Sequence, residues 1–407
     1  MTSPQKFLPY GRQSIDADDV AAVARALQSD YLTTGPGVGR FEQAFAEAVG
    51  ARYAVASNSG TAALHLACIA IGLAPGDAVI VPTLTFLATA NAARFCGAEV
   101  IFADVDPESG RLTAAHLEAA LARAGSTAKS ARVKAVLPVH LNGHCADMVA
   151  IRALTEARGL RVIEDACHAL GGRHRAGNDS MAPVGACALS DLACFSLHPV
   201  KTMTTGEGGV TTTNDAEQYR LMQLYRSHGM SRDPATFRHA DLAFGPDGQP
   251  NPWYYEMQAL GWNYRITDFA CALGESQLGK LPGFIARRRE LAAHYDRQLT
   301  PLAPVLKTVP GQAGDDPALH LYAVLIDFAA IGKSRAQVMA ELKALGIGTM
   351  VHYLPVHQQP YYRERYGRQD LPGADSYYAR QLSIPLYPDM TEADVTRVVD
   401  GLRRCLG

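Results

Sequence analysis

Between residues 50 and 230, short apolar and β-branched runs alternate with Ala- and Leu-rich stretches of helical period. The pattern predicts strands over 53–57, 78–81, 99–103, 134–139, 161–164, 192–196 and 209–213, with helices near 61–72, 86–97, 113–123 and 146–157. Strands that are apolar throughout and alternate with helices predict an α/β fold, with a mostly parallel seven-stranded sheet covered on both faces. Right-handed crossovers then line the strand C-terminal ends along one edge, where ligands collect. Near 230 the rhythm breaks. Residues 231–256 are rich in Gly, Pro and polar side chains and predict a long excursion. Helices near 267–279 and 284–298, a strand near 320–327, a helix near 334–345, a strand near 349–353 and a last helix near 391–405 predict a second, smaller α/β unit. The predicted division is therefore 1–260 for the large domain with its N-terminal segment, and 261–407 for the C-terminal domain. Gly35-Pro36-Gly37-Val38-Gly39-Arg40 puts Arg where a dinucleotide fingerprint needs its third glycine and follows no strand, so a turn is predicted there.

Composition narrows the class. The chain has 407 residues, of which 48% are apolar and 19% charged, enough to bury a large core. Lys and Arg total 38 against 40 Asp and Glu, a formal charge of −2, which argues against a nucleic-acid partner. The run Arg287-Arg288-Arg289 lies in a helical pattern and predicts a solvated helix face. Eight cysteines without a CxxC suit reduced thiols in the cytosol. The N-terminal segment lacks a signal-peptide apolar region and no stretch predicts a membrane span, so a cytoplasmic protein without a membrane partner is expected.

The chemistry concentrates at predicted strand ends. Lys201 stands in Ser196-Leu197-His198-Pro199-Val200-Lys201-Thr202-Met203-Thr204-Thr205-Gly206, among small and hydroxyl residues rather than other charges. A lysine desolvated in such a pocket loses its proton and becomes an amine nucleophile; a plain loop lysine is the alternative for the bare pattern. Asp165 ends an apolar strand facing the predicted crevice, where it could hold a proton on a ring nitrogen, or simply cap a helix. His168, three residues on, is within reach of a neighbouring polar group of the same ligand. In Ser59-Gly60-Thr61-Ala62, Gly60 permits close approach, and the amides of Thr61 and Ala62 are expected to be free for an anion at a helix N-terminus. Ser196 could add a hydroxyl to that anion, and Phe86 is placed to stack on a flat ring or to pack in the core. A phosphate cradle, a ring-nitrogen acid, a stacking aromatic and an amine nucleophile together describe a pyridoxal 5′-phosphate (PLP) site. His140, His144 and Cys145 fall on a Gly-containing loop with no second ligand pair, so no metal is expected. His352 and His357 are separated by a proline and are expected to be pocket-wall or interface residues.

The segments SGTAALHLA (59–67), TFLATANA (85–92), VIEDACHALGG (162–172), SLHPVKTMTTGEGG (196–209), YRSHG (225–229) and NYRITD (263–268) resemble the DegT/DnrJ/EryC1/StrS sugar-nucleotide aminotransferases over nearly the whole chain. The resemblance implies the PLP-dependent transferase fold of type I, the aspartate-aminotransferase fold. It implies Lys201 as the Schiff-base lysine that also shuttles a proton, Asp165 as the pyridinium partner, His168 beside the cofactor's phenolic oxygen and Phe86 as the ring stacker. It further implies that Thr61, Ala62 and Ser196 hold the phosphate, with Asn263 reaching in from the other subunit of a homodimer. The implied reaction moves an amino group from L-glutamate to a keto-sugar carried by a nucleotide.

PYGRQSIDADDV (9–20), DYLTTGP (30–36), PWYYEMQALGWNYRITD (252–268) and HYLPVHQQPYY (352–362) resemble the 4-aminotransferases of the pseudaminic acid pathway, whose substrate is UDP-2-acetamido-2,6-dideoxy-β-L-arabino-hexos-4-ulose. By that resemblance Tyr10, His352 and Tyr353 are candidate substrate contacts. A 3- or 4-aminotransferase for another UDP-, GDP- or dTDP-linked keto-sugar, and a non-catalytic PLP-binding sensor, are the alternatives. Leu197, Leu141-Asn142 and Trp262 depart from residues common at those places in the family, and Leu141-Asn142 is expected to line the sugar pocket.

Overall fold

The computed structural model describes residues 6–127, 131–177, 180–312 and 314–407. Seven strands, Tyr53–Ser57 (β1), Asp77–Pro82 (β2), Glu99–Ala103 (β3), Arg132–Val136 (β4), Arg161–Asp165 (β5), Leu192–Ser196 (β6) and Gly209–Thr213 (β7), form one sheet in the order β1-β7-β6-β5-β4-β2-β3. The pairs β6-β5-β4-β2-β3 run parallel, and β7 alone runs against its neighbours. Their side chains are buried on both faces, which is why these strands read as continuous apolar runs rather than alternating ones. The C-terminal ends of β1, β2, β5 and β6 therefore share one edge, joined there by the first residue of β7 opposite Ser57 and Ser196.

A second sheet of Leu306–Thr308 (β8), Tyr322–Ile326 (β9) and Gln381–Ile384 (β10) is antiparallel in that order. The strand predicted near 349–353 is absent as an element; only a single bridge joins Met350 to Ser383. The helices predicted at 267–279 and 284–298 are one helix, Asp268–Leu299, which carries Pro282 without ending. Gly35 is a helix N-cap and not part of a free turn. Its amide and that of Gly37 donate to Asp268 at 2.8 and 2.9 Å, which starts the helix Pro36–Val49.

The chain crosses between the two sheets in both directions. Leu8 pairs with Ile347 and packs in the core of the smaller sheet. Val356, Tyr362, Leu371 and Tyr377 return from the C-terminal half into the core of the large sheet. The basic run is not a uniformly solvated face: Arg288 is 1% exposed and its Nη1 donates to the carbonyls of His320 and Leu386, tying the long helix to both segments.

Candidate active site

Asp165 is the last residue of β5 and is 5% exposed. Its Oδ2 accepts from Thr89 Oγ1 at 2.5 Å and its Oδ1 from the amide of Cys167 at 3.2 Å. Thr89 lies on the first turn of the helix Leu87–Phe95, whose N-cap is Phe86, so one short segment supplies both the clamp on Asp165 and the aromatic. Phe86 is 56% exposed, with its ring 6.0 Å from that of Tyr353; a core role is excluded and a face is left for a flat ligand.

The loop between β6 and β7 closes on itself. The amides of Leu197, Lys201 and Thr205 donate to the carbonyls of Gly208, His198 and Leu197, and Thr204 Oγ1 accepts from Gly206, whose φ of +83° suits glycine. This holds Lys201 at the sheet edge. Among the described residues its amine has no hydrogen-bond or ion-pair partner. Burial pushes its pKa below the ordinary lysine value, against the pull of Cys167 and Asp165.

Gly60 opens the helix Gly60–Ala70 beside Ser196. The amides of the first turn are not free as the sequence predicted. Ala62 donates to Ser59 Oγ at 3.2 Å because a serine N-cap satisfies that position, so the free pair among the described residues is Gly60 and Thr61. Ser196 Oγ is 3.5 Å from the amide of His198.

The opposite wall comes from the C-terminal half. The His352 ring lies 5.2 Å from that of Tyr10, tilted, and 5.0 Å from that of Tyr353, edge-on. Tyr353 Oη is 2.8 Å from His168 Nε2, and His168 Nδ1 accepts from the amide of Asn142 at 3.3 Å. His320, which the sequence did not single out, packs its ring 4.6 Å from that of His168 and is buried with Nδ1 unpartnered. Burial, with Lys201 adding to it, pushes His168 and His320 well below the ordinary histidine value and His352 down to about 3. All three imidazoles are thus pushed toward the neutral state, in part by the same amine.

Acid should therefore destabilise the apoprotein. The folded imidazole of His352 titrates near 3 and the unfolded one near 6.5, so the unfolded chain binds more protons between those values and stability rises with pH across that window. At pH 5 this residue alone costs about 2 kcal/mol relative to neutral pH. Urea midpoints at several pH values should show His352→Gln with a shallower acid slope than wild type; an unchanged slope would refute the neutral buried state.

Asn263 is exposed, and its backbone carbonyl accepts from Asn58 of its own chain at 3.3 Å, beside the Ser59–Gly60 turn. The side chain of Asn142 does not line a sugar pocket: Nδ2 donates to Tyr377 Oη at 3.0 Å, and it is the backbone amide that meets His168. Leu141 and Leu197 are core residues, and Trp262 packs against His65 and Tyr264. His357 is buried against Thr83 at 2.7 Å and belongs to packing. Thr89 and His320 were missed by sequence reading. Thr89 carries only a weak signal, one helical turn after Phe86; His320 carries none, since its neighbourhood is made by distant segments.

A family model described as the DegT/DnrJ/EryC1/StrS aminotransferase family matches residues 13–403. The chain belongs to this family. It is a sugar aminotransferase. It is 37% identical over 400 residues to the spore coat polysaccharide biosynthesis protein SpsC of Bacillus subtilis (strain 168), covering 98% of this chain and 96% of that protein. Among solved structures it is similar to Helicobacter pylori PseC, described as an aminotransferase involved in the biosynthesis of pseudoaminic acid. The TM-score is 0.86 at 27% identity, covering 98% and 99% of the two chains. S. venezuelae DesV matches with a TM-score of 0.83 at 30% identity, covering 99% of each chain.

The residues of this sugar aminotransferase fit PLP. A carboxylate clamped by two donors, an amine without a partner and two free helix amides converge on one sheet edge. Gly60 supplies the decisive detail, because a Cβ there would lie 2.8 Å from Ser196 Cβ and 3.1 Å from its Oγ, filling the cradle. Gly60→Ala should cost about 1–3 kcal/mol of stability through overpacking. It should also weaken PLP retention on dialysis by roughly tenfold or more, equivalent to about 1.4 kcal/mol. Unchanged retention would remove Gly60 from the cradle.

Proposed function

We propose that this enzyme uses PLP to move an amino group from L-glutamate to C4 of a nucleotide-linked 4-keto-6-deoxy sugar. The first substrate to test is UDP-2-acetamido-2,6-dideoxy-β-L-arabino-hexos-4-ulose. The observation that carries the proposal is the desolvated amine of Lys201 at the strand edge that also bears Asp165. Similarity to PseC supports the sugar, through the pathway stated for that protein. When bound, PLP supplies an electron-withdrawing ring and an aldehyde to carry the amino group. Lys201 takes the proton from the amino-bearing carbon and returns it on the facing atom. Asp165 keeps the ring nitrogen protonated, Phe86 covers the ring, and the Gly60 and Thr61 amides with Ser196 hold the phosphate. Tyr10, His352 and Tyr353 border the sugar. His168 lies on the phenolic oxygen side as a ring neighbour, its two nitrogens being engaged by the Asn142 amide and Tyr353 Oη.

The working form is proposed to be a cytoplasmic homodimer in which Asn263 completes the partner's site. Trp253, Tyr255, Met257 and Leu260, exposed within residues 253–260, suit such an interface. No helix of the described residues is long and apolar enough to cross a membrane. The domain boundary is proposed at 260/261, with the N-terminal strand of contacts through Leu8 crossing it.

The near-ultraviolet and visible spectrum of the purified protein, recorded before and after L-glutamate, tests the half-reaction. A shift to the pyridoxamine form is expected. Bound cofactor without a shift would point to another donor or to a sensor, and no cofactor band after adding PLP would overturn the site. Parallel turnover of UDP-, GDP- and dTDP-linked 4-keto sugars then decides the nucleotide.

A further inference from the structure

Behind Asp165, on the other face of β5, lies a second carboxylate that the chemistry above does not use. Glu164 is fully buried. Its Oε2 is 2.8 Å from His140 Nε2, and its Oε1 accepts from Ser190 Oγ. His140 Nδ1 accepts from the amide of Ala146 at 3.1 Å, so Nε2 carries the hydrogen and donates it to Glu164. The amide of His140 in turn donates to the carbonyl of Asp165 at 3.1 Å. Side chain and backbone of one histidine thus fasten the loop 140–146 to the end of the strand that bears Asp165.

Within that loop Asn142 adopts φ +62°, a left-handed conformation that asparagine tolerates better than most side chains. Its carbonyl accepts from the amides of His320 and Leu321, and its amide donates to His168 Nδ1 at 3.3 Å. A nitrogen that faces an N–H cannot bear a hydrogen. His168 is therefore the Nε2–H tautomer, and across the 2.8 Å contact it is the donor to Tyr353 Oη. The phenolic hydrogen of Tyr353 is then not spent on His168.

We propose that the Asn142 amide, held by the His140–Glu164 pair, fixes the His168 tautomer and so makes Tyr353 a hydrogen-bond donor to the substrate's oxygen at the reacting carbon. Glu164, His140 and Asn142 are positioning residues. Tyr353 is the group that touches substrate. Burial raises the Tyr353 phenol well above its ordinary value, with Asp165, Cys167 and Tyr10 acting the same way, so it binds oxygen as a neutral donor and does not act as a base. The substrate end of this chain rests on the proposed function; the tautomer does not.

The test uses apoprotein labelled with [15N]histidine, in which long-range proton–nitrogen correlations report which ring nitrogen bears hydrogen, and His168→Gln assigns the signals. Wild type is expected to show His168 protonated at Nε2. Tyr353→Phe should leave that tautomer in place, because the amide behind the ring sets it. Glu164→Leu should admit the Nδ1–H form, and Glu164→Gln, which still accepts from His140, should restore the wild-type signal. An Nδ1–H tautomer in wild type, or a flip in Tyr353→Phe, overturns the proposal even if Glu164→Leu does not fold. In the holoenzyme, Tyr353→Phe should raise KM for the keto-sugar by roughly tenfold, the loss of about one hydrogen bond. The glutamate half-reaction should change far less. Failure of that half-reaction in wild type would instead refute the proposed function and leave the tautomer result standing.

Discussion

Lys201→Ala is expected to abolish amino transfer while leaving a folded protein that still binds the nucleotide sugar. Proton transfer by a positioned side chain is worth about 10²–10⁴-fold, and Lys201 serves as both base and acid at two atoms, so turnover should fall by at least about 10³-fold. Its surroundings explain why no neighbour substitutes. The nearby imidazoles of His168, His320 and His352 are all pushed toward the neutral state by burial and by the amine itself. The Cys167 thiol is pushed well above its ordinary value by burial and by Asp165. The same desolvation predicts that the alanine variant is no less stable than wild type, since a buried amine without a hydrogen-bond partner costs folding energy. Apoprotein stability should also rise with pH up to the ordinary lysine value, because the unfolded chain binds the extra proton below it, and this rise should disappear in the variant. Single-turnover kinetics with preformed cofactor and the pH dependence of urea midpoints read the two effects separately. Transamination at the wild-type rate would end the assignment of Lys201.

Asp165→Ala should separate chemistry from sugar binding. The carboxylate sits at the end of β5, and its two oxygens are clamped by Thr89 Oγ1 and the Cys167 amide. The proposed sugar contacts lie elsewhere: His352 and Tyr353 come from the C-terminal half, and Tyr10 of the N-terminal segment packs beside His352. Removing a fixed charge aimed at a reacting system costs about 10²–10³-fold in turnover, whereas KM for the keto-sugar should move by less than about threefold. Equal losses in kcat and in sugar affinity would count against the ring-nitrogen role. Thr89→Ala is a milder version of the same experiment: it frees one carboxylate oxygen without removing the charge, and its effect should be smaller and in the same direction.

The large sheet was legible because its strands are buried on both faces. Continuous apolar runs bounded by turns gave the bounds of Tyr53–Ser57, Glu99–Ala103, Leu192–Ser196 and Gly209–Thr213 without error. The smaller unit was less legible. Strands Leu306–Thr308 and Gln381–Ile384 are three and four residues long and lack a sustained period, so neither stood out. The segment near 349–353 is β-rich in composition but makes only one bridge, because its residues serve the site wall. The sequence pattern predicts the long helix as two, near 267–279 and 284–298, with Pro282 between them. The helix continues because packing against the N-terminal helices and the C-terminal helix outweighs one lost backbone bond.

Determined by the sequence alone were the bounds of four of the seven strands, the glycine that opens the helix beside Ser196, the solitary lysine among small residues and the acid at the end of an apolar strand. These are local features, each written within about a dozen residues, and local backbone preferences fix them before any distant contact forms. The tertiary structure alone decided the protonation pattern of the site. Whether an imidazole is neutral depends on what buries it, and His168, His320 and His352 are buried by segments more than a hundred residues apart. The Asn142 side chain turned to Tyr377, and Arg288 was drawn from an apparently solvated run into the core. In each case a hydrogen-bonding group took the partner that folding placed beside it, because leaving a buried polar group unpaired costs more than any local preference supplies.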